Sequence, residues 1–350
     1  MNVKEVITYL DTIAPPVYQE SYDNAGLITG SPAMLVSGVV VCLDATEAVL
    51  DEAIALGCNL IVAHHPIVFR GLKKITGRNY VERVIIKAIK HDLAIFAAHT
   101  NLDNVFRRGV NGRIAERLGL ERTQILAPKQ VGKKLQIFTP ASLAVPLQEA
   151  LVAVGATRIE GIREAGYLTE SGRSQMINGE ARVKLEIAFP SAAQSGVLKT
   201  VKKYQQEAKV DYDLFSIEVD TPEIGSGVIG FLPEPMAPDQ FLKYLKERMQ
   251  TDCVRHTEIL DRQIEKVAVC GGAGGFLLRQ AIGQGAQVFV TADYKYHEFF
   301  DADGNIIIAD IGHYESEQFT IQLLHEIISQ KFSNFAVHCT KVRTNPVYYL

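Results

Sequence analysis

Two adjacent histidines, His64 and His65, directly follow the apolar run 59–63 (NLIVA), and a second polar cluster, His99-Thr100-Asn101-Leu102-Asp103, directly follows the run 93–98. A third pair, His313 and Glu317, stands four residues apart at the start of a helical pattern, so both side chains project from one helix face about one turn apart. Three imidazoles and two carboxylates suit borderline first-row divalent ions such as zinc, manganese, iron or nickel, and no cysteine accompanies them as a soft ligand. Either Asp103 or Glu317 could bridge two ions through its two oxygens. Five donors exceed what an open mononuclear site usually employs, so the set predicts two divalent metal ions roughly 3.5–4 Å apart with a water or hydroxide between them. Pro66 biases His65 toward extended backbone, which helps the neighbouring imidazoles diverge.

Each of these residues taken singly has a plainer explanation. Asp103 can cap a helix or turn, Glu317 can complement the dipole of a first helical turn, and a histidine in a loop is usually structural or solvated. The His-His pair resists this explanation, because two imidazoles buried behind an apolar strand need partners. His99 and His297 (in YKYHEFF) are candidate proton-handling groups lining the same cavity, and each equally suits a hydrogen-bonded core or rim position. His91, His256, His325 and His338 are assigned to structure or surface. The turn 270–275 (CGGAGG) follows a strand, opens a helix and is trailed by Asp293, as in a dinucleotide fold, but the third glycine of that fingerprint falls on Leu277. What remains for it is an anion-accepting wall of backbone amides or a structural tight turn.

The elements that must position these residues alternate in type. Strand patterns at 37–43, 59–63 and 93–98 are separated by helical stripes at 47–56 and 80–91, and the order predicts a parallel sheet buried on both faces. The last third repeats the logic, with strands at 266–270, 287–291 and 305–310, a helix at 276–283 and a long helix over 313–330. Both ends therefore read as one α/β layer. Between them, a strand near 133, a helix at 143–154, a polar glycine-bearing stretch at 164–180, then strand, helix and strand, suggest a ferredoxin-like α+β domain inserted at 127–222. The α/β domain then comprises 1–126 and 223–350.

The 350 residues are 47% hydrophobic and 22% charged, enough for two cores. The net charge of -4 lacks the footprint of a nucleic-acid binder or a membrane-surface protein, although a local basic patch remains compatible with it. No signal-peptide pattern or spanning apolar stretch is visible, so a cytoplasmic protein without membrane association is expected. Five scattered cysteines read as core thiols rather than a disulfide framework.

Six segments carry a family resemblance: 21–30 (SYDNAGLITG), 63–67 (AHHPI), 98–103 (AHTNLD), 266–275 (KVAVCGGAGG), 291–297 (TADYKYH) and 310–317 (DIGHYESE). In these the chain resembles the NIF-three-like dinuclear-metal proteins, known as GTP cyclohydrolase I type 2 homologues. The resemblance implies that His64, His65, Asp103, His313 and Glu317 are the metal ligands. It further implies a metal-activated hydrolase acting on a small-molecule substrate, with nucleotides among the candidates. Longer members carry a PII-like or CutA-like insertion where 127–222 stands. Such insertions commonly contain His-Pro-Tyr-Glu-Glu before their last strand, whereas this chain has YQQEAKVDYD at 204–213. The resemblance also implies a toroidal homohexamer with its metal sites facing an internal cavity. The alternative function is a non-enzymatic, metal-binding regulatory or scaffold ring whose inserted domain senses a ligand.

Overall fold

The computed structural model describes all residues except 157–165, 170–175, 178, 179 and 219. It divides into two compact units, one formed by Met1–Ala127 with Gly225–Leu350 and the other by Pro128–Ile224.

The first unit begins with α1 (Val3–Ile13), β1 (Gly26–Thr29), β2 (Gly38–Cys42), α2 (Glu47–Ala55), β3 (Leu60–Ala63), α3 (Tyr80–Lys90), β4 (Ala94–Ala97), α4 (Thr100–Asp103), α5 (Val110–Arg117) and β5 (Glu121–Pro128). Local chemistry sets the helix starts. The Asn2 side chain accepts from the Glu5 amide while Glu5 reaches back to the Asn2 amide, and Thr46 and Asn79 cap α2 and α3 in the same sense.

The second unit contains β6 (Gly132–Pro140), α6 (Ala141–Ala153), β7 (Gly166–Thr169), β8 (Met176–Ile177), β9 (Glu180–Pro190), α7 (Gln194–Glu207) and β10 (Asp211–Ile217). Its sheet runs β10-β6-β9-β7, with antiparallel neighbours throughout. The two short strands β7 and β8 lie inside the stretch 164–180 that the sequence presents only as polar and glycine-bearing. Leu135, Ile137, Leu185, Ile187 and Phe189 form the buried face of this sheet, covered by Leu147 and Leu151 of α6 and Val197 and Val201 of α7.

The chain then returns to the first unit through β11 (Gly225–Met236), α8 (Pro238–Met249), β12 (Arg255–His256), β13 (Ile264–Ala273), α9 (Leu278–Gly283), β14 (Val288–Ala292), β15 (Ile307–Asp310), α10 (His313–Glu317), α11 (Thr320–Lys331) and β16 (Ala336–Cys339). The expected long helix over 313–330 is two helices. The Gln318 side chain donates to the carbonyls of Glu315 and Met249, occupying an acceptor that a continuous helix would use.

The expected single layer is also corrected. The first unit holds two sheets, ordered β1-β4-β3-β2-β16 and β12-β15-β14-β13-β11-β5. Strands β16, β2, β3 and β4 are parallel, as are β13, β14 and β15. Alternation explains why both faces of these strands are apolar. Val39, Val41, Leu60 and Val62 join a core shared with Val267, Val269, Val288 and Val290 of the other sheet and with residues of α1, α5, α8 and α11. Val40, Cys42, Ile61 and Ala63 face the opposite way toward α2 and α3. Neither sheet could bury both faces without the other half of the sequence. Among the described residues no helix is long and apolar enough to cross a membrane.

Candidate metal centre

The chemistry-bearing residues stand beyond the carboxyl ends of parallel strands from both sheets, where side chains can converge without disturbing the ladders. Asp44 follows β2, His64 and His65 follow β3, His99 and Asp103 follow β4, Asp293 follows β14, and His313 opens the helix after β15.

Four imidazoles are anchored in one manner. Nδ1 of His64 lies 2.7 Å from the Ala98 carbonyl, that of His65 2.8 Å from Asp44 Oδ1, that of His99 2.7 Å from Asp23 Oδ1, and that of His313 2.7 Å from Asp293 Oδ2. An acceptor on Nδ1 fixes the ring orientation and, once the ring is neutral, leaves the lone pair on Nε2, the arrangement that supports metal-ligating histidines. Glu317 Oε2 sits at the centre, 2.9 Å from His65 Nε2, 3.1 Å from His313 Nε2 and 3.7 Å from His64 Nε2. Asp103 Oδ1 closes the ring at 3.5 Å from His64 Nε2.

The structure thus brings His64, His65, Asp103, His313 and Glu317 into one cluster, with His99 beside it at 5.5 Å between ring centroids from both His64 and His65. Donor atoms of His64, His65 and Glu317 lie within 4.8 Å of one another, a group able to hold a metal ion. The fit is tested by His64 Nε2 and Asp103 Oδ1, which are buried without a hydrogen-bond partner. Orphaned polar atoms are costly unless something else satisfies them, and nitrogen and carboxylate donors together match a divalent cation.

Electrostatics follow from the same packing. Burial alone would raise Asp23, but hydrogen bonds from His99 and Thr100 hold its carboxyl down at about 2. Removal from water, reinforced by the charge of Glu317, pushes Asp103 up to about 7. Glu317 is held well below the ordinary carboxylate range by the imidazoles around it, His313 foremost, despite its own burial.

His297 is not brought in. Tyr294 is anchored in the core beneath β14, and the chain turns out at Asp293, whose φ of +59° is left-handed. His297 follows on an exposed 3-10 segment, its ring against Tyr296 and outside the cleft lining. Of the two candidate proton-handling histidines, the cleft lining includes His99 and does not include His297.

Of the two roles open to the glycine turn, the structure favours the structural one. The amides of Gly271, Gly272 and Gly274 already donate to Asn111 Oδ1, Ser316 Oγ and Thr291 Oγ1, so they are spent on packing and not offered to an anion. Gly272 has a left-handed φ of +60°, and a Cβ there would stand 2.6 Å from Glu317 Oε1. The glycines let backbone pass close against the histidine and carboxylate cluster.

Asp44 and Asp293 were not read as orienting groups in the sequence, yet each stands one or two residues past a strand, a position that offered a signal; Asp23, in a coil before β1, had only its place in the family-like segment 21–30. The cluster opens into a cleft of about 720 Å³ whose rim carries Tyr22, Phe69, Phe276 and, from the chain's last residues, Val347 and Tyr349.

The family described as Duf34/NIF3 (NGG1p interacting factor 3) matches residues 1–346. A Bacillus subtilis (strain 168) protein named GTP cyclohydrolase 1 type 2 homolog is 32% identical, with 100% of this chain and 99% of the relative covered. The crystal structure of a Bacillus cereus protein related to NIF3 is 34% identical, covers 100% of this chain and 99% of its own, and superposes with a TM-score of 0.82. A Staphylococcus aureus structure is 30% identical over 100% of this chain and 99% of its own, with a TM-score of 0.81. With sequence, fold and end-to-end coverage in agreement, the chain belongs to the Duf34/NIF3 family.

Proposed function

We propose that the chain is a hydrolase-type enzyme that works with a pair of divalent ions, held by His64, His65, Asp103, His313 and Glu317, on a small nucleotide-like or phosphorylated molecule. The observation that carries this reading is the convergence of three anchored imidazoles and two carboxylates on one point, with His64 Nε2 and Asp103 Oδ1 lacking a hydrogen-bond partner. Ions bound there would supply Lewis acidity toward a substrate oxygen and lower the pKa of a water toward neutrality.

The chain's own residues do the rest. His99, fixed through Nδ1 to Asp23, keeps Nε2 for taking or giving a proton beside the cluster. Asp23 fixes the orientation of that ring and is itself secured by the Thr100 hydroxyl. Tyr22 and Phe69, with ring centroids 6.2 Å apart, offer apolar faces at the rim against which a planar group can lie and exclude water. The name carried by the relatives, GTP cyclohydrolase 1 type 2 homolog, makes opening of a guanine ring one candidate reaction.

The order β10-β6-β9-β7, with α6 and α7 as crossovers, supports reading 127–222 as an inserted ferredoxin-like domain of PII or CutA type. We extend the proposal to a cytoplasmic homohexamer, for which light scattering would give six chains per particle.

The test of function is metal analysis of protein purified without nickel affinity, followed by a screen of nucleotides and phosphoesters with added manganese, zinc or iron. Metal-dependent turnover that disappears in a His64→Ala/Glu317→Ala variant is the expected result. Tight metal retention without turnover across the screen would instead leave a metal-binding scaffold.

A further inference from the structure

A second groove, of about 390 Å³, shares Asp44, His65, Pro66 and Phe69 with the metal cleft, so the two spaces meet at the metal cluster. Arg70, Gly71 and Leu72 are among its lining residues. The segment 66–80 contains Arg70, Lys73, Lys74 and Arg78 and no acid, in a chain whose net charge is -4. Among the described residues none of these four side chains is engaged by a carboxylate. The groove's single acid, Asp44, is already committed, its Oδ1 to His65 and its Oδ2 to the Thr344 hydroxyl.

The basic segment is also braced. The buried Glu82 carboxylate accepts from the Thr76 amide at 2.7 Å, the Thr76 hydroxyl at 2.8 Å, the Arg78 amide at 3.1 Å and the Asn79 side chain at 3.0 Å. A buried acid that could have paired with the neighbouring cations is consumed in shaping the loop. Positive charge therefore stays unneutralised beside a cleft with an aromatic rim.

We propose that this groove is a subsite for the phosphoryl group of the substrate, with Arg70 as the residue that binds it and sets the preference for phosphorylated molecules. The proposal rests on the metal-site reading for what happens at the other end of the substrate, but not for the binding itself. A guanidinium presents paired N–H donors that match two phosphoryl oxygens, which an ammonium cannot do in the same plane. A phosphate seated against Arg70 directs the rest of a small substrate past Phe69 toward His65 and the cluster. The two spaces together suit a molecule of nucleotide size.

The test uses phenyl phosphate, with phenol as the uncharged counterpart, titrated calorimetrically into metal-stripped full-length protein at fixed ionic strength. Wild type is expected to bind phenyl phosphate and to discriminate against phenol, and Arg70→Gln to weaken phenyl phosphate binding about tenfold, the loss of one charge-assisted contact. Lys73→Gln/Lys74→Gln should change it less than twofold. Unaltered binding in Arg70→Gln overturns the proposal, as does absence of binding to wild type or an equal loss in the lysine variant, which would indicate general attraction to a basic surface. Metal content of the same preparations is measured separately. An Arg70 effect in protein that takes up no metal sinks only the catalytic reading, and metal uptake with no Arg70 effect sinks only the subsite.

Discussion

His64 Nε2 and Asp103 Oδ1 face each other at 3.5 Å, and each is buried without a hydrogen bond. Such atoms cost about 1–3 kcal/mol apiece when left unsatisfied. A cation between them removes that cost in the folded state only, so binding must stabilise the fold. At a free metal concentration of 100 times Kd the gain is about 2.7 kcal/mol. For a chain of 350 residues that corresponds to a rise in melting temperature of roughly 3–5 °C. Differential scanning calorimetry with zinc or manganese, then with chelator, should show the rise and its reversal, and His64→Ala should show neither. A wild-type transition indifferent to both additions would count against a metal centre.

His65 owes its orientation to a relay that ends in the last residues of the chain. Thr344 Oγ1 donates to Asp44 Oδ2 at 2.7 Å, and Asp44 Oδ1 lies 2.8 Å from His65 Nδ1. Groups that hold a ligating imidazole from behind are typically worth about 10–100-fold in metal affinity. Asp44→Asn should therefore weaken zinc binding at least about tenfold in competition with a chromogenic chelator. Thr344→Val, which leaves the carboxylate in place, should cost only about two- to threefold, with circular dichroism unchanged in both. Equal affinities in all three proteins would show that the relay is only packing.

Gly272 offers a contrast between backbone strain and site geometry. An alanine there would adopt a left-handed φ of +60° and push its Cβ to 2.6 Å from Glu317 Oε1 and 3.2 Å from His313 Cε1. Gly285 has a φ of +76° with nothing within 4 Å of its would-be Cβ. Gly285→Ala should lose about 1–2 kcal/mol from strain alone and retain its metal. Gly272→Ala should lose at least as much stability and in addition release metal, read as metal per chain after gel filtration. Metal retention equal to wild type would mean that the cluster gives way easily around position 272.

These residues also mark how far the sequence alone reaches. The paired histidines after β3, Asp103 after β4 and the His313/Glu317 spacing were legible because continuous apolar runs mark where buried strands end and a helical repeat fixes which side chains share a face. Their convergence was predicted from the donor chemistry and the family resemblance and not from any local pattern, since β3 and β4 belong to one sheet and β15 to another. Reading both ends as one layer failed for that reason. The orienting acids were missed because an Asp in a loop has the same local signature whether it caps, solvates or holds a ring. His297 looked equivalent to His99 in sequence, and only the buried Tyr294 just before it decides that its segment turns outward.

Proton release should accompany metal uptake. Burial would lower His65, but its bonds to Asp44 and Glu317 raise it to about 10, and the charge of Glu317 with the bond to Asp293 raises His313 to about 11. Both exceed the ordinary histidine value of about 6.5. In the metal-free fold the two rings are cations at neutral pH, and their pairing with Glu317 stabilises it. Because the folded values are raised, that contribution is fully present below about pH 6.5 and is lost as pH climbs through 10 and 11. A metal needs the neutral Nε2 atoms, so loading at pH 7–8 should expel about two protons per chain. Calorimetry in buffers of different ionisation enthalpy counts them directly. The apparent affinity should rise with pH over the same range, and metal-loaded protein should hold its melting temperature above pH 10 where the stripped form loses it. A proton count near zero would place the ion somewhere other than on His65 and His313.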